Sequence, residues 1–290
     1  MAARSAVINV MARAAEKAGR ALLRDFGEVE QLQVSRKGPA DFVSAADRKA
    51  ERMVRDELAR ARPDFGFLME ESGTVEGRDK RSRWIIDPLD GTTNFLHGLP
   101  HWAISIALER EGEIVAGVVY EPTHDEMFWA EKGQGAFLNH QRLRVSARRN
   151  LPDALVATGI PFKGHGDFQG FMAQLAAVMP EVSGIRRLGS AALDLAYTAA
   201  GRFDAYWETD LNPWDVAAGV LLVAEAGGFV TEIGGGRNPA AGQSVLAANP
   251  HLHLPLGTLL RNAMKPKAKP APAASTPAAS TPTAAGGSAG

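Results

Sequence analysis

Trp84-Ile85-Ile86-Asp87-Pro88-Leu89-Asp90-Gly91-Thr92-Thr93-Asn94 runs from a short apolar strand straight into two acids. A buried strand that ends in carboxylates puts charge where a fold otherwise avoids it. Pro88 favours extended backbone in the residue before it, so Asp87 and Asp90 cannot share a helical face. A turn that aims both carboxylates, and the carbonyl between them, at one point is the natural geometry. Gly91 lets backbone come close to a ligand, and the amides after it can hold an anion. The expected strand stops at Asp87-Pro88.

Two further acids occupy similar places. Glu70 follows the apolar run Phe65 to Met69, and Asp215 follows Trp214 at the head of a helix. Taken singly, these are turn residues, a surface acid and a helix cap. Taken together, they converge on one site. At an effective dielectric near 20, two like charges about 4 Å apart repel by roughly 4 kcal/mol. Bound cations remove that penalty, and oxygen ligands without Cys or His select hard ions such as Mg²⁺ or Mn²⁺.

Outward from these acids, apolar periodicity predicts helices over Ile8 to Phe26, ended by Gly27, and over Ser44 to Arg60, capped by Ser44. Gln31 to Val34 alternates like a strand. Ala103 to Leu108, Ile114 to Tyr120 and Glu126 to Ala130 read as a strand meander. Phe168 to Val178, Ala191 to Ala200 and Asp215 to Ala226 read as helices, and Phe203 to Trp207 and Phe229 to Glu232 as strands. The mix is α+β in layers. Residues 1–264 form one domain in this reading. From Lys265 to Gly290 the chain turns to Lys, Pro, Ala, Ser and Thr, the composition of a disordered tail.

The whole chain has 290 residues, 45% hydrophobic and 22% charged, with no cysteine. That excludes a disulfide framework, a thiolate zinc site and a cysteine nucleophile. Net charge is −1, and without the tail's three lysines 29 basic residues face 33 acidic ones. No basic field points to nucleic acid, and no apolar run is long enough for a membrane span. With no secretory signal in view, a cytoplasmic protein is expected. His97 and His101 are separated by Gly98 and Pro100, which argues against a zinc pair, and His251 and His253 read as exposed. Gly133-Gln134-Gly135 is a hairpin turn rather than a dinucleotide fingerprint. Arg186-Arg187 reads as an exposed basic pair or a salt-bridge former, and otherwise as a contact for a second acidic group on a substrate. Trp102, Trp129 and Trp207 read as packing residues.

Trp84 to Phe95 resembles the first signature of the inositol monophosphatase family, and Trp214-Asp-Val-Ala-Ala-Gly219 with Glu225-Ala-Gly-Gly228 resembles the second. Asp41-Phe-Val-Ser-Ala-Ala-Asp47, Glu70-Glu71-Ser72 and Gly189-Ser-Ala-Ala-Leu-Asp194 fit in the same order. The resemblance spans residues 5 to 262. It implies a layered αβαβα sandwich, usually a homodimer, that hydrolyses phosphate monoesters with Mg²⁺ and is often sensitive to Li⁺. By position, Glu70, Asp87, the Leu89 carbonyl, Asp90 and Asp215 match metal ligands for two or three ions. Asp47 matches the acid paired with Thr92, and with Glu70 these form the expected catalytic set that positions a metal-activated water. Gly91 and Thr92 match phosphate contacts, and Gly189, Ser190, Ala191 and Glu208, with Asp90 and Asp215, match substrate contacts.

These implications make the expected function that of an inositol-1-monophosphatase. Fructose 1,6-bisphosphate, histidinol phosphate and 3′-phosphoadenosine 5′-phosphate are alternative substrates within the superfamily. The stretch Ile185 to Tyr197, with Trp207-Glu208 and Pro213-Trp214-Asp215, is similar to the bacterial SuhB-type branch. That likeness implies a second role of another class, as a partner of the transcription elongation machinery in ribosomal RNA synthesis.

Overall fold

The computed structural model describes residues 4–28, 39–161 and 166–265. The strand expected at Gln31 to Val34 and the tail beyond Lys265 lie outside the described residues. Helix α1 (Ala6–Phe26) forms on the predicted stripe, capped by the Ser5 hydroxyl, which accepts the Ile8 N–H at 3.3 Å, and ended by Gly27. Helix α2 (Pro39–Ala61) begins five residues before the expected Ser44 cap. Proline suits a first helical turn because its missing N–H would go unpaired there.

Strands β1 (Phe65–Met69), β2 (Gly73–Val75), β3 (Asp79–Asp90), β4 (Ala103–Arg110), β5 (Glu113–Glu121), β6 (Glu126–Glu131), β7 (Gly135–Leu138) and β8 (Gln141–Arg142) form one sheet, ordered β2-β1-β3-β4-β5-β6-β7-β8. β1 and β3 run parallel, and the predicted meander supplies antiparallel β4 to β7. β3 does not stop at Asp87-Pro88. It continues to Asp90, with Asp87 opposite Ser105 and Asp90 opposite Ala103, so one extra residue is inserted on β3. Such a bulge accommodates proline and re-aims the side chains around it.

After β3 come the short helix α3 (Thr92–Leu96), β9 (Leu155–Thr158), α4 (Phe168–Val178), β10 (Gly184–Arg186), α5 (Ala191–Ala199), β11 (Ala205–Thr209), α6 (Pro213–Glu225), β12 (Phe229–Thr231), β13 (Ser244–Ala248) and α7 (His253–Ala263). The second sheet is ordered β10-β9-β11-β13-β12. β11 starts at Ala205 rather than Phe203, and β13 and α7 were not foreseen. His253 is half-buried at the start of α7 and hydrogen-bonded to Thr231 at 3.1 Å, where exposure was expected.

The layers follow from the apolar faces. α1 and α2 pack on one face of the first sheet around Met11, Leu58, Trp84 and Trp129. α5 and α6 fill the space between the sheets, burying Leu195, Leu222, Phe128 and Tyr206. α4 packs with α7 on the far side of the second sheet, around Val178, Trp207 and Leu256. This is the expected αβαβα sandwich. The three tryptophans singled out are all buried, as predicted. No helix among the described residues is long and apolar enough to cross a membrane.

Candidate active site

The bulge of β3 turns Asp87 and Asp90 toward acids carried by three other elements: Asp47 on α2, Glu70 after β1 and Asp215 on α6. The Glu70 N–H donates to the Ile86 carbonyl at 3.2 Å, which seats Glu70 beside Asp87. Glu70 as a residue stands exposed at the rim, but burial of its carboxyl, helped by the charges of Asp90, Glu71 and Glu51 and opposed by its interaction with Asp87, raises it to about 7. Asp87 is 1% exposed, and its Oδ1 accepts the Leu89 N–H at 2.9 Å. Burial, and then the charges of Glu70, Asp90 and Asp215, push it well above the usual carboxylate range.

Asp90 is anchored to the start of α5. Its Oδ2 accepts the Ser190 hydroxyl and, at 2.8 Å, the Ala192 N–H, and the N–H groups of Gly91 and Ala191 also point at its carboxyl. Burial raises Asp90 to about 6, and these bonds hold it from rising further. Asp215 reaches back from the third position of α6 to accept the Asn212 N–H at 2.6 Å. It is both a helix-capping residue and a member of the cluster. Burial first, then Asp90, lifts it to about 8 against the opposing effect of the Asn212 bond. Asp47 is 5% exposed and is likewise raised to about 8, by burial and by Glu70 and Glu71.

One expected contact is not made. The Thr92 hydroxyl donates to the Leu89 carbonyl at 3.0 Å rather than to Asp47, whose Oδ1 is buried without a hydrogen-bond partner. Leu89 offers its carbonyl to the nearest donor, three residues on, and that local bond wins over the longer reach to α2. Ser190, Ala191 and Gly91, expected at substrate, are directed onto Asp90 here.

A cleft of about 400 Å³ opens beside the cluster, with Asp90, Gly91, Thr92, Gly189, Ser190, Ala191, Glu208 and Asp215 in its lining. Glu208 Oε2 accepts the Tyr206 hydroxyl at 2.6 Å. Its Oε1 occupies the space that a side chain at residue 159 would need: a Cβ on Gly159 would lie 1.8 Å from it. Burial raises Glu208 to about 7. Gly91 adopts φ 92°, and a Cβ there would come within 3.0 Å of the His101 carbonyl, so the position suits glycine alone. Arg187 is exposed and lines the cleft, and its charge acts on Glu208 and Asp194. Arg186 is also exposed, and its guanidinium donates to the Ile185 carbonyl at 3.0 Å. The basic pair therefore divides, one member facing the cleft.

The donor set fits a hard divalent cation: the acids are crowded, burial and mutual repulsion push them above the ordinary carboxylate range, and one buried oxygen on Asp47 has no partner. Among the described residues no three His, Asp or Glu side chains stand close enough together to form a ligand shell as placed.

Other sequence signals have plainer uses. Glu225, at the end of the second signature, accepts the N–H groups of Gly133 and Gly135 at 2.8 and 2.7 Å and so pins the β6–β7 turn. His97 is exposed after α3, and His101 packs edge-on against Tyr197. Four residues take roles that the sequence reading did not assign. Asn94 donates to the His101 and Leu188 carbonyls, both at 2.8 Å, and ties the first signature to the loop before α5. Tyr206 and the buried Asp194 flank Glu208, and Glu51 lies beneath the Glu70 turn. Tyr206 was the most accessible of these, since residues two apart on a strand share a face.

A model described as the inositol monophosphatase family matches residues 3–265. An inositol-1-monophosphatase of Rhizobium meliloti is 57% identical over 265 residues, covering 91% of this chain and all of that protein. The Nus factor SuhB of Escherichia coli is 44% identical over 246 residues, covering 85% and 92%. The crystal structure of extragenic suppressor protein suhB from Bartonella henselae superposes with a TM-score of 0.83 at 58% identity, covering 89% of this chain and 99% of that one.

Proposed function

The chain belongs to the inositol monophosphatase family, and from that premise we propose that it is a Mg²⁺-dependent phosphomonoesterase acting on inositol 1-phosphate. The observation that carries this reading is the grouping of Asp47, Glu70, Asp87, Asp90 and Asp215 beside a cleft whose lining includes Glu208. Glu70, Asp87, Asp90, Asp215 and the Leu89 carbonyl would hold the ions, two or three in number, with Mn²⁺ as a substitute. Bound there, divalent ions supply charge neutralisation for the phosphoryl group and lower the pKa of an attacking water.

The chain's own residues do the rest. Ser190 and Ala192 fix the direction of Asp90, and Asn212 fixes that of Asp215. Thr92 and Gly91 border the phosphate end of the cleft, and Glu208, oriented by Tyr206, meets the hydroxyls of the alcohol. Gly189, Ser190 and Ala191 form the floor beside it. Glu70 and Asp47 stand where the attacking water must be oriented. A carboxyl group at the alcohol end suits a polyol better than a second phosphate, which ranks inositol 1-phosphate above the bisphosphates. Residues 1–264 constitute the phosphatase domain in this reading, and a cytoplasmic, Li⁺-sensitive homodimer is its expected form.

Phosphate release from inositol 1-phosphate, fructose 1,6-bisphosphate, histidinol phosphate and 3′-phosphoadenosine 5′-phosphate, each with Mg²⁺ and with EDTA, tests the reading. Metal-dependent turnover is expected to be strongest on inositol 1-phosphate. Dominant turnover of the nucleotide, or turnover undiminished by EDTA, would refute it. The 44% identity to a protein named Nus factor SuhB supports a second role alongside catalysis, as a partner of the transcription elongation machinery. Retention of the chain by RNA polymerase with its elongation factors at physiological salt is the expected result, and a clean negative would remove that role.

A further inference from the structure

The turn that presents Glu70 is three residues long, Glu70-Glu71-Ser72, between β1 and β2. All three residues are exposed, so packing does little to hold them. The grip comes from beneath. Glu51 on α2 is 2% exposed; its Oε2 accepts the Glu71 N–H at 2.9 Å and its Oε1 accepts the Ser72 hydroxyl. Both oxygens of one buried carboxylate are thus spent on the two residues directly after Glu70. On the other side of Glu70, its own N–H is held by the Ile86 carbonyl, next to Asp87. The backbone of Glu70 is therefore bracketed between β3 and α2.

Helix geometry adds a second link. Asp47 and Glu51 are four residues apart on α2 and project from the same face. One helical turn places an acid in the cluster and also clamps the turn that brings another acid to it. Glu51 does not line the cleft, and its contacts with the site run to the Glu70 turn, with its charge also felt by Glu70 and Asp47.

We propose that Glu51 is a positioning residue for the metal-dependent reaction: by clamping Glu71 and Ser72 to α2, it sets Glu70 in register with Asp47 and Asp87 so that the acids can take up a divalent cation together. The inference rests on the phosphatase reading above. Outer partners that orient metal ligands typically change metal affinity by 10–100-fold when removed.

The test is Mn²⁺ binding by calorimetry to the metal-stripped full chain, with initial rates against Mg²⁺ concentration measured in parallel. Glu51→Ala is expected to weaken Mn²⁺ binding about 10-fold or more, and to lower kcat while leaving KM for inositol 1-phosphate unchanged. Glu51→Gln should restore most of both, because its carbonyl can accept the Glu71 N–H and its amide can donate to the Ser72 hydroxyl. Glu225→Ala removes a comparable carboxylate clamp from the distant β6–β7 turn. It should lose stability and keep normal Mn²⁺ affinity.

A folded Glu51→Ala protein that binds Mn²⁺ as the wild type does, or that differs from it no more than Glu225→Ala does, would overturn the proposal. If Glu51→Ala does not fold, Ser72→Ala decides, since it deletes one of the two bonds: weaker Mn²⁺ binding upholds the clamp and unchanged binding overturns it. A wild-type chain that binds no Mn²⁺ would overturn the phosphatase reading itself, and the proposal with it.

Discussion

Gly159 contributes to the cleft by what it lacks. The Glu208 carboxyl occupies the position of its missing Cβ, and the Tyr206 hydroxyl fixes it there. Gly159→Ala would force Glu208 to rotate and break the 2.6 Å bond to Tyr206. In the proposed reading Glu208 meets the part of the substrate that does not react, so the loss should fall on binding. KM for inositol 1-phosphate is expected to rise about 10–100-fold with kcat changed far less, as steady-state kinetics would check. Asp90→Asn belongs to the other half of the site. It keeps the size that Ser190 and Ala192 grip but removes the anion, and Mg²⁺-dependent kcat should fall by roughly 10²-fold or more. Near-normal hydrolysis by that variant would contradict the proposed role of Asp90. Glu70, Asp87, Asp90 and Asp215 could be read from sequence because each stands beside an apolar run, where charge is conspicuous, whereas Asp47 entered the site only through the family resemblance. The bonds among residues could not. Thr92 could reach either Asp47 or Leu89, and only the folded backbone shows that the Leu89 carbonyl is taken. Glu51 and Asn94 acquire meaning from partners far along the chain, and no local pattern marks them.

Elements carry the acids into place, and one tight constraint among them is between the two central helices. A Cβ on Gly219 of α6 would lie 2.5 Å from the Leu195 Cβ on α5. α5 anchors Asp90 and α6 carries Asp215, so the spacing of these helices sets the spacing of those acids. Gly219→Val should overpack this contact at a cost of about 1–3 kcal/mol, measurable by urea unfolding. Activity should drop as well, with weaker Mg²⁺ activation, while a surface substitution elsewhere on α6 should leave both unchanged. The final glycine of the Trp214 to Gly219 signature is thus a packing residue that serves the site at a distance. Most elements were legible because their periodicity is clean. Three of the misreadings, in β3, α7 and α2, share a cause, which is a helix or strand that contains its own apparent breaker. β3 passes through Pro88 by means of a bulge. α7 contains Pro255 and Gly257, yet Pro255 sits in the first turn, where no internal bond is lost. α2 starts on Pro39 rather than after it.

At the scale of the whole molecule, the cluster makes stability depend on pH in a direction opposite to that of a protein held by surface ion pairs. Asp47 and Asp215 are raised from 3.8 to about 8 in the folded chain. An acid raised in this way keeps its proton longer in the native state than in the unfolded state. Between roughly pH 4 and pH 8 the native state therefore binds more protons, and stability falls as pH rises through that window. Its contribution is fully present below the unfolded value and lost above the folded one. Divalent cations held by these acids, as proposed, should oppose the trend, because they bind the deprotonated form and compete with protons for it. A ligand that binds only the native state adds stability in proportion to its affinity, and that affinity grows as the acids ionise. Thermal unfolding in EDTA should show Tm decreasing from pH 5 to pH 8.5. Added Mg²⁺ should raise Tm at both ends, and by more at pH 8.5 than at pH 6, while NaCl at matched ionic strength should not reproduce the difference. A Tm in EDTA that climbs over this range, or a Mg²⁺ increment independent of pH, would mean that the five acids are already ionised in the free protein. The repulsion among them would then have to be offset by something other than protonation, and the readiness of the cluster to take up metal would need a different physical basis.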